Sequence, residues 1–70
     1  MSPKYEIIIY WNQEDSRIFA EIPELAGAMA DGLSYSEALA NAEIIIQEWI
    51  ETATELGRQI PEPKGRLLFA

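Results

Sequence analysis

The sequence predicts an α+β domain in which one long helix covers a small antiparallel sheet, in the order β-β-β-α-β. Three observations carry this. Ser34 to Gly57 places apolar residues at helical spacing between a start signal and a stop signal. The segments before it are rich in β-branched and aromatic residues, which suit a pleated surface. The segment after it is too short for another domain, so residues 1–70 are read as one domain.

Lys4 to Trp11, KYEIIIYW, is the first expected strand. Tyr5, Ile7, Ile9 and Trp11 share one face, and Glu6, Ile8 and Tyr10 share the other. The second set is not polar, which predicts a central strand covered on both sides. Asn12 to Ser16 is a polar turn cluster. Arg17 to Glu21 alternates again, with Ile18, Ala20 and Ile22 on one face and Arg17, Phe19 and Glu21 on the other. Two such runs joined by a polar turn make a hairpin. Pro23 ends the second strand because it has no N–H for the ladder. Pro23 to Gly27 then bends, Ala28 to Ala30 supplies a short third strand, and Asp31-Gly32 is a turn signal.

At the helix, Ser34 is the expected N-cap, and Glu37 three residues later completes a capping box. Leu39, Ala42, Ile46, Trp49, Ala53 and Leu56 recur at spacings of three and four, and Ala38 and Ile45 widen the stripe. Glu37, Asn41, Glu48, Glu51 and Glu55 sit largely opposite. Ile44 and Ile50 lie away from the centre of the stripe and are expected at its rim or in an oligomer interface. Gly57 is the expected C′ residue, and Pro61 keeps the helix from resuming. Arg58 to Gly65 is a proline-bearing connector. Arg66 to Ala70 is the fourth expected strand, lying beside the first. The two tryptophans, Trp11 and Trp49, are expected as core anchors, with partial exposure the alternative for Trp11 beside the polar turn.

Composition narrows the function. A 70-residue chain buries only ~60% of its unfolded surface, so its stability margin is thin. It has no cysteine for a disulfide staple, and 49% of its residues are hydrophobic. A homodimer or a higher homo-oligomer is a natural remedy. Five basic against twelve acidic residues give a net charge of −7. That charge disfavours direct nucleic-acid binding and favours encounter with a basic protein. Glu48, Glu51 and Glu55 form one helical stripe, either a solvated face or a landing surface for such a partner. No run approaches the ~20 apolar residues of a membrane span. Met1 to Tyr10 has no signal-peptide pattern, which leaves the cytoplasm as the expected location.

Catalytic groups are sparse. There is no histidine and no cysteine, and the four glycines form no phosphate-binding pattern. Carboxylates alone can hold Mg²⁺ for phosphodiester hydrolysis. The β-β-β-α-β order is also the first part of the ribonuclease H fold. That chemistry needs an aspartate in the middle of the first strand, where this chain has Ile7-Ile8-Ile9, and Glu6 and Glu43 do not complete a cluster. No enzymatic activity, metal or cofactor is therefore expected.

Ile22 to Gly32, IPELAGAMADG, the helix onset SYSEALANAEIII and the later GRQIPEP together resemble HicB-type antitoxins. The family run is an apolar strand, a P-x-L-x-G bend, a short strand with D/G, then S/T-x-x-E-A-L-x-N-A. Pro23, Leu25, Gly27, Asp31, Gly32, Ser34, Glu37, Ala38, Leu39, Asn41 and Ala42 match it in place. Gly57, Ile60, Pro61, Glu62 and Pro63 match the family's exit. Ala26 and Ala28 stand where the bend often has proline and cysteine. The resemblance implies a partial, degenerate ribonuclease H-like fold and binding to a small basic HicA-type toxin that cleaves mRNA. It also admits a stand-alone HicB-like interaction protein without a toxin. Many members carry a C-terminal DNA-binding segment; this chain ends at Ala70, so operator binding is not carried over.

Overall fold

The structure, a computed structural model, describes residues 5–63. The chain forms β1 (Ile8–Asn12), β2 (Arg17–Glu21), β3 (Met29–Gly32) and α1 (Tyr35–Glu55). The strands make one antiparallel sheet in the order β1-β2-β3. The expected fourth strand, Arg66 to Ala70, lies outside the described residues.

Sequence alternation is realised directly in β2. Ile18 and Ala20 are buried, and so is Ile22 just beyond the strand, while Arg17, Phe19 and Glu21 face the other way. Three strand expectations change. Among the described residues β2, not β1, is central, because β1 pairs with β2 alone. Among the described residues nothing covers the second face of β1 either, since α1 packs on one side of the sheet only, and Ile8 is exposed. The third strand runs through Asp31 and Gly32 instead of turning there. Their partners Phe19 and Ile18 extend the ladder to that point.

The bend between β2 and β3 is two successive tight turns. The Leu25 amide donates to the Ile22 carbonyl at 3.1 Å, and the Ala28 amide donates to the Leu25 carbonyl at 3.0 Å. Pro23 sits second in the first turn, where its fixed φ is preorganised. Gly27 sits third in the second turn with φ 76°, the left-handed value that a type II turn requires there. The two turns drive Leu25 into the core, where it is 1% exposed.

Helix α1 lies mainly over β3 and β2. Ser34 is its N-cap, and its Oγ accepts from the Glu37 amide at 3.1 Å. The Glu37 carboxylate reaches back to the Leu33 amide at 2.7 Å, one residue beyond the expected capping-box partner. At the other end Arg58 N–H donates to Ala53 O and Gly57 N–H donates to Thr54 O, which is a Schellman motif. The buried stripe is Ala38, Ala42, Ile46 and Ala53. Its small residues bring the helix close to the sheet.

Leu39 and Leu56 leave the stripe. A 21-residue helix is about 30 Å long, whereas five-residue strands span about 17 Å, so the helix ends overhang. Leu56 is accordingly 62% exposed. Trp11 is also no core anchor, at 53% exposed, because it lies on β1 at the hairpin end, away from the helix.

Candidate interaction surfaces

Three surfaces surround this core. The first is the outer side of α1. Glu48, Glu51 and Glu55 are all exposed and share the side opposite Ala42 and Ile46. No ion pair compensates them among the described residues, where the salt bridge is Arg17 to Asp31. Ile44, 56% exposed, lies among these carboxylates. Ile50 does not join it. It packs half-buried against the core, because it lies four residues from Ile46 and three from Ala53, about one helical turn from each. The two isoleucines expected at the rim of the stripe or in an interface therefore separate: Ile44 faces outward and Ile50 takes the rim, closing the core margin.

The second surface is a groove between β3 and α1. Two adjoining hollows of about 360 and 340 Å³ share Met29, Ile45 and Glu48. Trp49, Thr52 and Arg58 line one end, and Ala30, Asp31, Asn41 and Ile44 line the other. The third surface is the open face of the sheet. Tyr10 packs edge-on against Phe19 with ring centroids 5.9 Å apart, and its hydroxyl donates to Glu21 at 2.5 Å. That bond, then burial and the Glu21 charge, raises the Tyr10 phenol above its usual value. The alternation of β1 and β2 contained this apolar face, but its hydrophobicity reads equally well as burial.

The matched motif residues are mostly builders of the fold. Pro23, Leu25 and Gly27 shape the plug described above. The Trp49 indole N–H donates to the Ala26 carbonyl at 3.1 Å and clamps the helix to that plug. Asn41 Nδ2 donates to the Asp31 carbonyl at 2.8 Å and ties the helix to β3. Tyr5 is buried, and its hydroxyl donates to the Pro61 carbonyl, which fixes the exit segment beside the start of the chain. Glu6 and Glu43, weighed above as nuclease acids, lie apart: Glu6 donates its amide to Glu24 at the bend, and Glu43 is exposed on α1. Among the described residues no acidic group of three gathers at metal-binding distance. No helix among them is long and apolar enough to cross a membrane.

No family profile matches the chain, and no solved structure matches it. A curated relative does. The UPF0150 protein ssl0259 of Synechocystis sp. is 37% identical over 63 residues, covering 90% of this chain and 85% of that protein. On that identity and coverage, this chain belongs to the UPF0150 family.

Proposed function

We propose that the protein is an antitoxin-like binding module of the HicB type that neutralises a small, basic, HicA-type mRNA-cleaving toxin by covering it. The observation that carries the reading is the outer side of α1. Among the described residues, Glu48, Glu51 and Glu55 stand there without an ion-pair partner around the exposed Ile44. An apolar centre rimmed by one sign of charge suits a basic partner, because the charge steers the encounter and the apolar residue anchors it. The motif run from Pro23 to Ala42 and the exit at Gly57 to Pro63 support the same reading through the resemblance. The β-β-β-α order of the described residues supports a partial ribonuclease H-like relationship. The protein acts by binding, without catalysis or a cofactor of its own.

The test is co-expression with the product of the adjacent gene, followed by pull-down and growth rescue. A basic protein that copurifies, and whose toxicity is relieved, is the expected result. Replacing Glu48, Glu51 and Glu55 together by lysine weakens the complex by at least roughly tenfold in Kd. Absence of any basic partner and of any relieved toxicity overturns the proposal and leaves the stand-alone interaction protein.

A further inference from the structure

We propose that the outer edge of β3 pairs with β3 of a second copy about a two-fold axis, joining two sheets into one with both helices on the same face. The observation is the direction of the backbone groups. Ile22 N–H donates to Ala28 O, so Ile22 and Ala28 are a hydrogen-bonded pair of the β2–β3 ladder. Antiparallel ladders alternate, and the register places Ala20 opposite Ala30 and Ile18 opposite Gly32 as the next such pairs. Met29 and Asp31 are then the non-bonded pairs, and their amide and carbonyl groups point away from β2. The Asp31 carbonyl confirms the direction by accepting from Asn41 on the far side. Among the described residues nothing meets the Met29 amide, the Met29 carbonyl or the Asp31 amide.

These groups recur two residues apart, so a two-fold axis at Ala30 sets Met29 opposite Asp31 of the second copy. Each such pair exchanges two N–H···O bonds, and the Asp31 oxygen keeps a lone pair beside Asn41. A second copy fits this edge better than a lone peptide strand. β3 has only four residues, so backbone bonds alone give little. A second copy also brings α1 alongside α1, so that Ile44, 56% exposed, faces its equivalent, while Met29, 42% exposed, packs beside Asp31 of the second copy on the open face of the sheet. A chain of 70 residues without cysteine gains what its core lacks. Glu48 lines the same groove, so the seam gathers a carboxylate from each copy. Salt must therefore strengthen this association, whereas it weakens binding to a basic partner.

The cysteine-free chain makes the pairing directly testable. Ala30 and its symmetry mate form a non-hydrogen-bonded pair, with Cα atoms ~4.5 Å apart, a separation that disulfides accept. The expected result for Ala30→Cys is a covalent dimer under air, with Ala26→Cys in the exposed bend remaining largely uncrosslinked. Analytical ultracentrifugation of the parent is expected to show a dimer that tightens from low to moderate salt and with Glu48→Gln. Ile44→Lys, at an exposed site, and Met29→Pro, which removes an amide the β2 ladder does not use, are each expected to give folded monomers. Leu56→Lys, exposed but away from the edge, leaves the dimer intact. A monomeric parent, or a dimer indifferent to both Ile44→Lys and Met29→Pro, overturns the proposal. So does a dimer that salt dissociates. Ile44 and Glu48 belong to both surfaces, so the seam and a basic partner compete for them; the copurification experiment tests the basic-partner reading, and the crosslinking and ultracentrifugation test the seam.

Discussion

Gly32 and Gly27 lie five residues apart and are glycine for different reasons. A Cβ on Gly32 would stand 2.6 Å from the Ala38 amide nitrogen and 3.0 Å from the Glu37 carbonyl carbon. Both obstacles are backbone of the first helical turn, so the helix would have to lift from β3. A Cβ on Gly27 would meet nothing within 4 Å, and the cost there is the left-handed φ alone. Gly32→Ala is therefore expected to lose about 2–3 kcal/mol, as overpacking does. Gly27→Ala is expected to lose about 1 kcal/mol. Urea unfolding of both variants decides it, and a larger loss at Gly27 would contradict the close approach at Gly32. Trp49 allows a similar separation. Trp49→Phe keeps most of the packing but gives up the bond to Ala26, a loss of about 1 kcal/mol. Trp49→Ala also empties half-buried volume and loses more, toward the lower end of the ~3–5 kcal/mol seen for fully buried aromatics.

Elements were legible where a local signal and the tertiary fold agreed. β2 has the expected bounds because its alternation, its turn and Pro23 all point the same way. The helix start was fixed by chemistry in the chain itself: Ser34 caps Glu37, and Glu37 reaches Leu33. Ser34→Ala is expected to cost about 1 kcal/mol and to fray the first turn, read as reduced amide-exchange protection at Ser36 and Glu37. An unchanged exchange pattern would place the cap elsewhere. Asp31-Gly32 reads as a turn only when its ladder partners are ignored. Across the ladder Gly32 fits opposite Ile18, and its lack of a side chain serves the helix contact instead of a turn. The acidic stripe of Glu48, Glu51 and Glu55 was legible because 3.6-residue periodicity alone aligns it. The β3 edge was not legible. Which amides point outward depends on pairing register, and no local pattern in Met29 to Gly32 encodes that.

At the scale of the whole molecule, the described chain closes on itself through Tyr5. Its buried hydroxyl holds the Pro61 carbonyl across 56 positions of sequence, and this links the start of the sheet to the segment after the helix. Burial first, and the nearby Glu24 charge second, push the Tyr5 phenol above its usual value. Tyr10 moves the same way, chiefly through its bond to Glu21. Both shifts favour the neutral phenol in the folded state. The sign follows from linkage. A folded-state value above the unfolded one gives a contribution fully present below the unfolded pKa of about 10, and lost as pH rises through the folded value. These tyrosines thus leave stability flat from neutral pH to about pH 9 and lower it on the alkaline side above about 10. Urea midpoints at stepped pH are expected to show that decline. The Tyr5→Phe, Tyr10→Phe double variant, weaker at neutral pH through two lost hydrogen bonds, is expected to fall less steeply above pH 10. An equally steep alkaline decline in the double variant would mean that the ionisation of these two phenols does not set the alkaline limit.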